Sequence, residues 1–308
     1  MDTATQELGK CTTPFQAEAL KQQILDLNLS NLLLVDCTAS AYIAELYPSL
    51  LRERISIVTP NKLAHAAGLE RYKELKQLSA ETGVKFYYEA SVGAGLPVIG
   101  TLHDLLVSGD QVTEIEGILS GTLSYIFNSL NADTKYSEII KDAHKQGLTE
   151  PDPREDLSGM DVARKLLILG RESGLPLELS DIQLDSLLPK GAENADSPEK
   201  LFSLLEGLDE QIASSVTEAS EKNERLCYLA KLKIEDGSNT PKYQATIGLQ
   251  SIPNDHPFYG LSGTDNIISF RTLRYEQYPL VVKGPGAGIE VTAAGVVADV
   301  LRVASYLG

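Results

Sequence analysis

Short apolar runs separated by amphipathic stretches dominate the first hundred positions. Residues 14–29 carry apolar side chains at helical spacing, and the run 31–36 (NLLLVD) suits a buried parallel strand. A helical pattern over 42–54 leads to a second run, 55–59 (ISIVT), closed by Pro60, and another helix (69–82) and strand (84–91) follow. This strand–helix–strand order predicts parallel neighbours in an α/β sheet. Beyond it, helical spacing recurs at 96–108, 122–131, 136–146, 159–172 and 198–208, with a polar loop at 191–200. Alternating segments at 225–234, 242–252, 265–275 and 279–283 predict a mostly antiparallel sheet. The sequence contains no internal repeat.

Composition narrows the classes. The chain has 308 residues and a formal net charge of −16, so nucleic acid or an anionic membrane would meet repulsion without a local basic patch, and none is present. Three cysteines, Cys11, Cys37 and Cys227, stand far apart, which fits a reducing compartment; the cytosol is the expected location. No stretch reaches the roughly 18 to 20 apolar residues of a membrane span. The four histidines, His65, His103, His144 and His256, lack the spacing that brings zinc ligands together.

Reactive side chains concentrate at 147–165, GLTEPDPREDLSGMDVARK. Pro151 and Pro153 push the residues before them out of the helical region, so Glu150 and Asp156 are expected on a stiff extended loop. Ser158, three residues before Asp161, resembles a capping box that opens a helix near Gly159. On that helix Asp161 and Lys165 lie four apart, on one face near the amino end, where the helix dipole favours the carboxylate and disfavours a proton on the amine. A lysine so placed can exchange a proton with a hydroxyl or carbonyl oxygen. The same spacing also fits a surface pair contributing about 0.2 to 0.5 kcal/mol.

This segment closely resembles the signature of homoserine dehydrogenases, including the dehydrogenase half of bifunctional aspartokinase–homoserine dehydrogenases. Further blocks resemble the family in family order: VDCT (35–38), TPNK (59–62), ASVGAGLP (90–97), GILSGTLSYIF (117–127) and GPGAGIEVTAAG (284–295). The resemblance implies an NADP- or NAD-dependent interconversion of L-homoserine and L-aspartate 4-semialdehyde, in threonine, methionine and isoleucine biosynthesis. It makes Lys165 the proton donor and acceptor, with Glu150, Asp156 and Asp161 offering carboxylates to the substrate ammonium and Gly147 beside them. Lys62 would stand where nicotinamide meets substrate, and Thr38 and Gly288 would contact the cofactor. Glu89 with the carbonyls of Val92, Ala94 and Leu96 would hold a monovalent cation, sodium or potassium, for which hard oxygen donors are suited.

The implied fold is an incomplete doubly wound, Rossmann-like sheet plus an α+β substrate and dimerisation domain. Residues 1–95 would form a partial dinucleotide-binding domain, 96–275 the substrate and homodimer domain, and 276–308 a return to the first. The G-x-G-x-x-G turn that opens such a domain is absent from the sequence, so its first strand and turn are expected to be missing. Two other readings remain: a catalytically silent dimerising fragment, and an aspartate-semialdehyde-type dehydrogenase with Cys37 as nucleophile, which needs a nearby base.

Overall fold

A computed structural model describes residues 16–131, 133–235 and 242–307. Cys11 and the start of the first expected helix lie outside these residues. Helix α1 (Ala17–Asp26) leads to β1 (Leu33–Val35), α2 (Ala41–Arg52), β2 (Ser56–Val58), α3 (Leu69–Thr82) and β3 (Phe86–Tyr87). The three strands form a parallel sheet in the order β1-β2-β3. Period-two alternation sorts their side chains onto two faces. Leu34, Ile57 and Phe86 pack with Tyr47, Leu50 and Leu51 of α2 in the main core, whereas Leu33, Val58 and Tyr87 join Val296, Val300 and Val303 on the other side.

After a 3-10 turn at Glu89–Ser91 come α4 (Ile99–Val107), β4 (Val112–Ile118), α5 (Gly121–Ser129) and α6 (Tyr136–Lys145). Then follow α7 (Pro153–Leu157), α8 (Met160–Glu172), β5 (Ile182–Leu184), α9 (Pro198–Leu205) and α10 (Asp209–Glu221). The chain continues through β6 (Glu224–Glu235), β7 (Lys242–Pro253), β8 (Asp265–Thr272) and β9 (Leu280–Pro285) to α11 (Ile289–Leu307). Strands β4 to β9 form a six-stranded sheet, order β5-β7-β6-β4-β8-β9, antiparallel except for the parallel pair β5 and β7.

Tyr228, Ala230, Leu232, Ile115 and Phe270 turn one face of this sheet into the main core, against α5, α8 and α10. The opposite face carries a second cluster of Cys227, Leu229 and Ile267 under Phe258, and beside it the charges of Glu114, Glu116, Lys231, Lys233 and Arg271. Because β9 pairs with β8, the return to the parallel sheet begins at α11 rather than at residue 276. Asp299 of α11 ties that helix to the end of β3 by accepting from the Glu89 amide at 2.8 Å. Among the described residues no helix is long and apolar enough to cross a membrane.

Two local expectations change. Asp156 lies in helix α7, not on an extended loop, because Pro153 takes the first helical position, where its missing N–H costs nothing, and the Asp152 side chain caps the Arg154 amide. Ser158 then belongs to the end of α7, and its hydroxyl donates to the Glu155 carbonyl. The capping box therefore does not form: Gly159, at φ 71°, begins α8 without a side-chain cap.

Candidate active site

The segments that follow β2 and β4 approach the amino end of α8. Lys165 is 9% exposed, and its ammonium lies 2.8 Å from Asp161 Oδ2 and 2.7 Å from the Leu119 carbonyl, one residue beyond β4. Lys62, four residues past β2, reaches the other Asp161 oxygen at 3.3 Å. Asp161 thus bridges two cations, one from its own helix and one from the loop after β2. Enclosure alone pushes its carboxyl pKa up, but the charges of Lys165 and then Lys62 bring it well below the carboxylate range.

Alongside opens a cleft of about 270 Å³ lined by Ser120, Glu150, Glu155, Asp156, Asp161 and Arg164, among others. Asp156 Oδ2 accepts from the Glu150 amide at 2.8 Å, which fixes the turn carrying Glu150. Burial raises the pKa of Asp156, partly offset by that amide and by the Thr122 hydroxyl. Glu150 is raised by burial and by the neighbouring charges of Asp156, Glu155 and Asp161. Crowded anions facing a small cleft form a receptor for a positive ligand group.

The remaining expected residues fall in three places. Gly147, at φ 70°, closes α6 by donating to the His144 carbonyl, so it shapes the approach to Glu150 and does not appear on the cleft wall. Thr38 follows β1, its amide donating to Asp36 Oδ1 at 2.8 Å, and Gly288 directly precedes α11. Such positions, outside the carboxyl ends of parallel strands, are where open α/β sheets take ligands.

The Glu89 carboxylate is fully hydrogen-bonded within the protein. One carboxylate oxygen accepts from the amides of Val98 (2.8 Å) and Ile99 (2.7 Å), the other from Gly100 (2.9 Å) and Arg302 (3.2 Å). All four lone-pair positions are taken. The Leu96 carbonyl accepts from the Val98 amide, and a side chain on Gly295 would meet the Ala94 carbonyl at 2.8 Å. The Glu89 carboxylate thus caps the start of α4 and anchors α11 through Arg302. Among the described residues no group of three or more His, Cys, Asp and Glu side chains is placed to hold a metal.

Cys37 is exposed beside Asp36, and partial burial and that carboxylate raise its thiol pKa, the wrong direction for a nucleophile. Sequence reasoning missed Leu119, Ser120 and Asn266. Leu119 acts through its backbone carbonyl, which residue type cannot reveal. That carbonyl also accepts from Asn266 Nδ2 at 3.1 Å.

The family description "Homoserine dehydrogenase" matches residues 97–301, and that of the homoserine dehydrogenase NAD binding domain matches residues 2–89. The bifunctional aspartokinase/homoserine dehydrogenase 2, chloroplastic, of Arabidopsis thaliana is 46% identical over 280 residues, covering 91% of this chain and 30% of the relative. The chain thus spans under a third of that bifunctional protein. The homoserine dehydrogenase of Saccharomyces cerevisiae is 42% identical over 280 residues, covering 89% of this chain and 76% of the relative. Among solved structures, a hyperthermophilic archaeal homoserine dehydrogenase in complex with NADPH superposes with a TM-score of 0.67 at 25% identity, over 89% of this chain and 72% of the other.

Proposed function

The chain belongs to the homoserine dehydrogenase family, and on that premise we propose that it interconverts L-homoserine and L-aspartate 4-semialdehyde at the cleft beside Lys165. One observation carries this reading: a buried ammonium, held by a carbonyl and by the Asp161 carboxylate, sits behind a cleft that Asp161 lines together with Glu150, Glu155 and Asp156. The substrate is an amino acid with a fixed positive charge and an oxygen that must gain or lose a proton. Thr38 and Lys62, past the carboxyl ends of β1 and β2, would hold NAD or NADP, which would supply or accept the hydride.

The chain's own residues do the rest. Glu150 and Asp156 take the substrate ammonium, since only anions or carbonyls neutralise such a group in a dry site. Lys165, as the amine, accepts the hydroxyl proton when homoserine is oxidised and, as the ammonium, returns it to the carbonyl oxygen in the reverse direction. Asp161 holds Lys165 and Lys62 together, so the substrate oxygen meets two cations that stabilise alkoxide character. The sheet face that carries Glu114, Glu116, Lys231, Lys233 and Arg271 has no helix packed on it among the described residues, which supports a homodimer as the assembly.

The direct test is homoserine-dependent reduction of NADP or NAD by the purified chain, followed by reduced-nicotinamide absorbance. A chain that neither binds reduced nucleotide nor responds to homoserine is the silent module instead. Asp156→Ala is expected to raise KM for homoserine about 10- to 100-fold through loss of a charged partner, with KM for the nucleotide unchanged. An equal rise in both constants would assign Asp156 to the scaffold. Because the carboxyls of Asp156 and Glu150 are raised, they take up protons above the ordinary carboxylate range, so homoserine affinity should fall on acidification earlier than normal acids would dictate.

A further inference from the structure

Three segments distant in sequence meet beneath Lys165: the end of β4, the start of β8 and the turn after β9. Asn266 of β8 stands at their centre, with 0% of its surface exposed. Its Nδ2 donates to the Leu119 carbonyl at 3.1 Å, and the same oxygen takes the Lys165 ammonium at 2.7 Å. A carbonyl can only accept, so the orientation of the amide is fixed with nitrogen toward Leu119. This leaves Asn266 Oδ1 buried without a partner among the described residues. A half-satisfied buried amide costs free energy that an isosteric leucine would not, so its donor arm must be worth more than packing.

The turn after β9 holds this amide in place. A side chain on Gly286 would sit 2.0 Å from Asn266 Cγ and Nδ2, so only bare backbone fits above it. Pairing of Asn266 with Gly284 sets the register that brings Gly286 over the amide.

We propose that Asn266 is a positioning residue for Lys165, acting through the shared Leu119 carbonyl. With the amide clamped under Gly286, the carbonyl oxygen has one direction available to the ammonium. Two of the Lys165 N–H bonds are then assigned, to Leu119 and to Asp161. The third corner of the nitrogen is aimed at the reacting oxygen. The proposal rests on the proton-transfer reading of Lys165.

Its test is Asn266→Leu, read for kcat, both KM values and thermal midpoint, alone and combined with Lys165→Ala. Loss of alignment at a reacting group predicts a drop in kcat of about 10- to 100-fold. The nucleotide KM should not change, and the thermal midpoint should not fall. In the double variant the two losses should not multiply, because Asn266 has nothing to position once Lys165 is gone. Wild-type turnover in Asn266→Leu, or losses that multiply in the double variant, would overturn the proposal. Should the leucine variant not fold, Asn266→Ala is read in the same way; failure of both to fold makes Asn266 a scaffold residue and ends the proposal. A wild-type chain inert toward homoserine with either nucleotide ends the reading of the whole site, whereas an active wild type with an active Asn266→Leu ends this inference alone.

Discussion

Replacing Lys165 by alanine is expected to lower kcat for homoserine oxidation by about 10² to 10⁴-fold, the usual contribution of a general acid–base group, with nucleotide affinity retained. Asp161 would keep Lys62 as a partner, so the wall of the cleft survives the loss and the defect should fall on the chemical step. Lys165→Arg separates the two services the side chain offers. Arginine keeps a positive charge beside the substrate oxygen but does not give up its proton at any working pH. If charge alone matters, arginine should restore much of the rate; if the group must cycle its proton, it should not, and the proposal predicts the second result. Recovery of turnover in Lys165→Arg would remove proton transfer from the role of Lys165.

The second large effect is on stability, and it originates at the residue that precedes the same helix. Gly159→Ala is expected to destabilise the fold by about 2 to 5 kcal/mol, from about 1 to 2 kcal/mol of left-handed backbone strain plus about 1 to 3 kcal/mol of overpacking. Gly159 lies at φ 71°, and an added Cβ would meet the Tyr228 hydroxyl at 2.2 Å and Leu184 Cδ1 at 2.8 Å. The Tyr228 hydroxyl donates to the Asp185 carbonyl at 2.8 Å, so displacing it also loosens the segment after β5. A lowered thermal midpoint, accompanied by lost turnover as α8 shifts, is the expected pair of results. An unchanged midpoint would mean that α8 does not begin in this geometry.

The pattern of the chain reveals most of this architecture where one face of an element is consistently apolar. Strands β1 and β2 read directly from their runs, and α8 from the spacing of Val162, Leu166 and Leu169. Strand β4 escaped because its alternation is short and irregular: a register shift between Val112 and Glu114 breaks it, and Glu114 and Glu116 fill its other face. In the sheet these acids face Lys231, Lys233 and Arg271 on neighbouring strands, a cross-strand neutralisation no local window displays. Strand β5 has three residues and gains its identity only from β7. At the site, the pairing of Asp161 with Lys165 followed from helix geometry, whereas the bridge to Lys62 and the role of the Leu119 carbonyl depend on the meeting of two sheets. The Glu89 carboxylate shows the reverse case: a residue whose type suits an ion but whose lone pairs are taken by three backbone amides and Arg302.

Helix α11 imposes an order on synthesis. It covers Val58 and Ala90 with Val296 and Val303, so one apolar face of the parallel sheet, made early, has no cover until a segment some two hundred residues later leaves the ribosome. At about 5 to 20 residues per second that face stays bare for about ten seconds or more, and the nascent chain must be shielded from its neighbours meanwhile. Shortening the chain within α11 would therefore be felt first in the yield of folded protein, at the opposite end of the sequence from the cut.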